Sequence, residues 1–178
     1  TISEMPDISV DSNDNAHIFW WDGRYYKGRD GQSWDITGGT RSIYYKNFNF
    51  SSNTWSVATD LVTGGSWYDS AVSNDNTLHL SYVLYDDILN KEVVKYIKNN
   101  GYGWSAPIYV FPIYGEQFAH VSLTTDSLND IHLAVRHWDS SWIEKLLYAK
   151  TSGGVWSTPE TIVGNISGQN YNSPLIYT

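Results

Sequence analysis

The chain repeats itself, and no other feature limits its possible folds so strongly. Trp-Ser occurs as Trp55-Ser56, Trp104-Ser105 and Trp156-Ser157, 49 and 52 residues apart, each after a turn rich in Gly, Asn or Ser. Two of the three continue as Ser105-Ala106-Pro107 and Ser157-Thr158-Pro159. Upstream of each stands an Asn/Asp turn, then a His in an alternating run: Asn13 to Ile18, Asn74 to Leu80 and Leu128 to Leu133. Between these landmarks lies an aromatic run, Ile43-Tyr44-Tyr45-Lys46, Val94-Lys95-Tyr96-Ile97-Lys98 and Leu147-Tyr148-Ala149-Lys150.

Each unit reads as four short strands. In the first these are Ile8 to Val10, His17 to Trp20, Ser42 to Asn47 and Trp55 to Val62. The first-strand position recurs at Gly65-Ser66-Trp67-Tyr68, Gly115-Glu116-Gln117-Phe118 and Gly168-Gln169-Asn170-Tyr171. Nowhere do apolar residues recur at i, i+3 and i+4 for long enough to make a helix. The expected fold is all-β: one domain over 1–178, with repeats at about 1–64, 65–114 and 115–167 and a partial fourth at 168–178. Four strands in about 50 residues is the size of a propeller blade. The 28 aromatic residues (9 Trp, 14 Tyr, 5 Phe) supply rings to pack such sheets.

The succession of Asn/Asp turn, His-Leu, aromatic strand and Gly-x-Trp-Ser-x-Pro resembles the repeats of sialidase-like β-propellers, the Asp-box or BNR group. The resemblance covers nearly the whole chain at the level of the repeat. It implies antiparallel four-stranded blades, on which both hydrolases and binding modules are built. The Asp-box turn is degenerate: Ser152-Gly153-Gly154-Val155-Trp156 and Asn100-Gly101-Tyr102-Gly103-Trp104 lack its Asp, and Ser51-Ser52-Asn53-Thr54-Trp55 lacks its Gly. Trp55, Trp104 and Trp156 are expected to pack between strands. Three blades do not close a ring. The expectation is a partial propeller, cut from a longer one or completed by a homo-oligomer, the latter favoured.

Charge narrows the partners. Eleven Lys+Arg against nineteen Asp+Glu leave −8, which excludes a protein that tracks nucleic-acid phosphates. No apolar run has membrane-spanning length. With no Cys, disulfides, thiolate metal sites and Cys nucleophiles are excluded. The first residue is Thr1, so cleavage from something longer is expected; an extracellular or cell-surface location is expected with the carbohydrate-binding reading below.

The candidate site lies at the loop after each second strand. In the first unit this loop runs from Asp22 to Arg41 and holds Arg24, Tyr25, Tyr26, Arg29 and Trp34. A ring beside a carboxylate ends each second strand: Trp21-Asp22, Tyr85-Asp86 and Trp138-Asp139. Flat rings stack on the C–H faces of a sugar, and planar charged groups bond its hydroxyls. The expected ligand is a glycan, with stacking by Trp21, Tyr25, Tyr26, Trp34, Tyr85, Trp138 and Trp142. Asp22, Asp86, Asp139 and Arg24 would orient hydroxyls. The alternatives are a structural, self-assembling module without a ligand and a sialidase-like glycoside hydrolase.

Catalysis is the weaker expectation. Sialidases of the resembled family hold the substrate carboxylate with three Arg from different blades. Here Arg24, Arg29 and Arg41 share one loop, with only Arg136 elsewhere, and the Arg-Ile-Pro motif is absent. His17, His79 and His132 sit one per unit, so they are expected as satisfied strand residues and not as metal ligands. Asp11-Ser12-Asn13-Asp14-Asn15 resembles the start of a calcium loop, yet lacks the sixth-position Gly and the closing Glu. A hairpin turn is expected there, and no cofactor.

Overall fold

A computed structural model describes residues 3–22, 41–111 and 117–164, with the side chains of 3 and 4 excepted. Among these residues every regular element is a β-strand, and all of them lie in three antiparallel sheets. The chain divides into two compact units, residues 1–66 and 67–178.

Sheet 1 belongs to the first unit. It orders β1 (Ser3–Val10), β2 (Ala16–Asp22), β3 (Ser42–Asn49) and β4 (Thr54–Trp55), with β5 (Thr59–Thr63) also paired to β3. Sheet 2 orders β6 (Gly65–Val72), β7 (Leu78–Asp86), β8 (Lys91–Asn99) and β9 (Ile108–Tyr109). Sheet 3 orders β10 (Gln117–Thr125), β11 (Ile131–Trp138), β12 (Glu144–Ser152) and β13 (Val155–Trp156), with β14 (Glu160–Gly164) on β12. The strands follow one another in chain order, and no sheet closes on itself. The fourth strand of the expected unit is thus two pieces in sheets 1 and 3, separated at the Ser that follows Trp.

That Ser explains the break. Ser56, Ser105 and Ser157 each donate their N–H to the third strand, on the carbonyls of Asn47, Lys98 and Lys150 at 2.7–2.8 Å. Each hydroxyl accepts the N–H of the same residue, at 3.0, 3.1 and 3.2 Å. The side chain satisfies a strand donor while the chain swings away, so that N–H keeps a partner.

The turns after the first strands of sheets 1 and 3 are Asx turns, and in sheet 2 Ser73 takes the place of the aspartate. Asp11 Oδ1 accepts the N–H groups of Asn13 and Asn15 at 2.9 and 3.0 Å. Asp126 Oδ1 accepts those of Leu128 and Asp130 at 2.8 and 3.0 Å. Asp14, Asn76 and Asn129 take the left-handed corner (φ 62°, 63° and 65°), which short polar side chains tolerate. The expected hairpin at Asp11 is therefore present.

One histidine per sheet is locked the same way. His17, His79 and His132 hold Nδ1 against the hydroxyls of Tyr45, Tyr96 and Tyr148 at 2.9, 2.6 and 2.6 Å. Their Nε2 atoms face Asp11, Ser73 and Asp126 at 3.4, 3.0 and 3.3 Å. With Nε2–H donating to the turn, Nδ1 of a neutral ring is the acceptor for the Tyr hydroxyl. The repeated His-Leu and aromatic landmarks are thus two ends of one polar tie across the second and third strands.

The second unit packs one core. β7 and β8 contribute Val83, Val94 and Tyr96, and the chain just past β9 adds Val110 and Phe111; β10 and β11 answer with Phe118, Val121, Leu123, Leu133 and Val135, and β12 with Ala149. Trp156 meets Tyr96 edge-on at 5.4 Å between ring centres. Polar ties flank this core. Asp69 Oδ2 accepts Leu123 N–H at 2.7 Å, Glu92 Oε2 accepts Phe118 N–H at 2.8 Å, and Asn129 Oδ1 accepts Asn74 N–H at 2.8 Å. The expectation of packed tryptophans holds in full for Trp156 in sheet 3, whereas Trp55 in sheet 1 remains 51% exposed, leaning on Phe48.

Candidate functional site

Among the described residues, the β11–β12 hairpin of sheet 3 gathers rings and charges at its strand ends. Arg136 donates side-on to Glu144, Nε to Oε1 at 2.6 Å and Nη2 to Oε2 at 2.9 Å. The guanidinium carbon lies 4.4 Å above the Trp138 ring centre. Register explains the meeting: Trp138 stands opposite Glu144, and Arg136, two residues back, shares their face. Beside them, His120 lies 4.1 Å from Trp67, ring centre to ring centre. Burial, then the Arg136 charge, lowers the His120 pKa, with Glu144 opposing.

His120 and Trp67 are both presented by irregular backbone. Each occupies the same place on the first strand of its sheet with positive φ (51° and 40°), as does Met5 in sheet 1 (52°). At His120 the register of β10 and β11 slips between Ala119 and Val121, a bulge. Bulges re-aim side chains.

At the tip of the same hairpin Trp142 is 68% exposed, also with positive φ (57°). Asp139 holds the tip: Oδ1 accepts the N–H groups of Ser141 and Ile143, and Oδ2 takes the Lys145 ammonium at 2.8 Å. The Lys145 bond, then that of Ile143, brings the Asp139 pKa down to about 2. Sheet 2 repeats the device. Asp86 accepts Ile88 N–H, Leu89 N–H, the Lys95 ammonium at 3.2 Å and the Tyr109 hydroxyl at 2.7 Å. The Tyr109 bond leads in lowering its pKa. Tyr85, opposite Glu92, is 52% exposed, its hydroxyl on Asn90.

The three ring-carboxylate pairs are therefore not alike. Tyr85-Asp86 and Trp138-Asp139 stand six and seven residues beyond the tie histidines of their sheets, while Trp21-Asp22 stands four and five beyond His17. Trp21 donates Nε1–H to the Gly65 carbonyl at 3.1 Å, and Arg41 covers its ring at 3.8 Å. Asp22 is buried. Arg24, Tyr25, Tyr26 and Trp34 lie outside the described residues. Arg136, Glu144, His120 and Trp67 escaped the sequence reading. A signal existed for Arg136: it fills the position that Val83 holds, fully buried, in sheet 2.

Among the described residues no group of three or more His, Asp and Glu side chains could hold a metal ion. No helix among them is long and apolar enough to cross a membrane.

No family model and no curated protein sequence matches the chain. Solved structures do match in fold. The "Hadza microbial sialidase Hz136" aligns with TM-score 0.66 and 11% identity over 92% of this chain and 38% of its own. An ulvan lyase, titled as a new family of polysaccharide lyase, aligns with TM-score 0.58 and 14% identity over 92% of this chain and 43% of its own. The same lyase bound to -[GlcA(1-4)Rha3S]- aligns with TM-score 0.58 and 14% identity, over 90% and 42%. The chain thus spans about two fifths of the length of these structures. The likeness is one of fold: an all-β succession of antiparallel sheets shared with part of a sialidase and part of a lyase.

Proposed function

We propose that the chain is a non-catalytic carbohydrate-binding module built of propeller blades, acting outside the cell, and that the β11–β12 end of sheet 3 contacts the glycan. The observation that carries this reading is the side-on Arg136–Glu144 pair over Trp138, beside an exposed Trp142. A guanidinium has five N–H donors in a fixed fork, and two of Arg136's are committed to Glu144. The others and the carboxylate's remaining lone pairs match vicinal hydroxyls, and an exposed ring supplies the stacking face. In this reading Asp86 and Asp139 act through the turns they hold, and Tyr85 is the weaker counterpart in sheet 2. Sites of this kind gain by avidity when repeated. The matched sialidase and lyase act on glycans by their titles, which agrees with a carbohydrate role on this fold.

The test is a glycan array followed by titration of the best ligand. Trp138→Ala and Arg136→Lys should each weaken binding about tenfold or more, since Lys cannot reproduce a side-on fork. Binding unchanged in both variants removes the assignment.

A second reading, assembly between copies, rests on a different observation. Ile8 and Leu123 hold the same place, three residues before the Asx-turn aspartate, yet Leu123 is 4% exposed and Ile8 62%. Sheet 1 thus presents Ile8, Val10 and Trp55 as an uncovered apolar face. A second copy offers the complement: its Tyr148 in sheet 3 is the repeat equivalent of Tyr96 in sheet 2, the ring that Trp156 meets, and its Ile162 is exposed. Sedimentation velocity should show dimers or larger species that Trp55→Asp dissociates. A strict monomer at every concentration contradicts this reading.

A further inference from the structure

A cleft of about 270 Å³ opens on the face of sheet 3 opposite Arg136 and Trp138. Its walls include Phe111, Phe118, His137, Asp139, Lys145 and Thr158. Two of these, Phe111 and Phe118, are apolar rings buried in the core of the second unit. His137 is the anomaly. It is 3% exposed, and neither ring nitrogen has a hydrogen-bond partner among the described residues. Its ring lies 4.8 Å from that of Phe118. The equivalent position in sheet 2, five residues beyond the tie histidine, is Leu84. An unpartnered polar group of this kind costs about 1–3 kcal/mol relative to an apolar one. Stability alone therefore favours leucine at 137, and a site explains the histidine better than packing does.

We infer that this cleft is a second ligand subsite for a neutral, hydroxyl-rich group the size of one sugar ring, with His137 bonding a hydroxyl at its base. The inference rests on the carbohydrate reading for the class of ligand. A neutral imidazole offers one donor and one acceptor, the same pair that a hydroxyl presents. Burial, then the Lys145 charge, lowers the His137 pKa, so the ring stays neutral and does not favour an anion. The Asp139–Lys145 pair gives the polar end an acceptor and a donor, 2.8 Å apart. The rings of Phe111 and Phe118 supply the apolar wall that C–H groups require. The subsite differs from the Trp138 group in face: His137 alternates with Arg136 and Trp138 along β11 and points to the opposite side.

The experiment uses the methyl glycosides of glucose, galactose, mannose, fucose and rhamnose at millimolar concentration. Long-range ¹H–¹⁵N spectra follow the His137 imidazole, and ordinary ones follow the Trp138 indole. At least one glycoside should shift the His137 nitrogens saturably. His137→Leu should raise the thermal midpoint and weaken that glycoside at least tenfold at this site. The inference is overturned if a glycoside shifts Trp138 and leaves His137 unmoved, an outcome that spares the carbohydrate reading. It is also overturned if His137→Leu leaves binding intact or lowers the midpoint. If no glycoside shifts either ring, the subsite and the carbohydrate reading fall together.

Discussion

Phe118→Ala is expected to destabilise the protein by about 3–5 kcal/mol, the range for emptying a buried aromatic site. Phe118 is 1% exposed and belongs to the core that sheets 2 and 3 share. Its ring lies 6.2 Å from that of Phe111, and its N–H donates to Glu92 at 2.8 Å. Burial raises the Glu92 pKa against the pull of that bond. Truncation removes the ring while the tie holds the strand in place, so the cavity cannot collapse freely. Equilibrium urea unfolding checks this. The midpoint should fall with the slope unchanged, whereas Phe50→Ala, at an exposed turn, should stay within about 0.5 kcal/mol. Equal effects at the two positions would mean that the sheets of the second unit do not share a core.

Acid should weaken the fold before the aspartates with lowered pKa values begin to protonate. Burial, against the Asp75 charge and together with that of Lys98, pushes the His79 pKa down to about 4. The unfolded imidazole titrates near 6.5. Between those values the unfolded chain binds a proton that the folded chain does not, so stability rises with pH across the window. The contribution is complete above about pH 6.5 and is lost as the pH falls toward 4. From pH 7 to pH 5 the loss from this group is about 2 kcal/mol. His120 and His137, lowered by burial as well, act in the same direction. Asp11, Asp75, Asp86 and Asp139 have lowered pKa values, so they remain charged through this window. Urea melts at pH 7 and pH 5 measure the loss, and His79→Gln should flatten it. A stability that does not change over that range would show that His79 is not buried as the tie to Tyr96 requires.

Much of the fold was legible because the repeat wrote each device three times. The Asn/Asp turn, the histidine and the aromatic strand were separable as landmarks, although their common purpose was not. Sequence spacing does not reveal that the Tyr hydroxyl reaches the neighbouring strand to meet His Nδ1. The break in the fourth strand was hidden for a similar reason, since a Ser that clamps the third strand looks like any turn residue. The site was less legible than the fold. The ring-carboxylate pairs of sheets 2 and 3 hold one place relative to their histidines, but Trp21-Asp22 stands two residues earlier, a difference that shows once the spacing is counted from the histidine. Arg136 was hidden by alternation, since a charged residue in a strand reads as a solvated face. Its meeting with Glu144 and Trp138 depends on the pairing of β11 with β12.

The central claim is that a glycan seats on the β11–β12 end of sheet 3. The most direct measurement is a ¹H–¹⁵N spectrum of the tryptophan indoles during titration with the strongest array ligand. Contact predicts that the Trp138 and Trp142 cross-peaks move together and saturate, while that of Trp156, packed against the core, stays in place. Saturating ligand that leaves Trp138 and Trp142 unmoved would contradict the account.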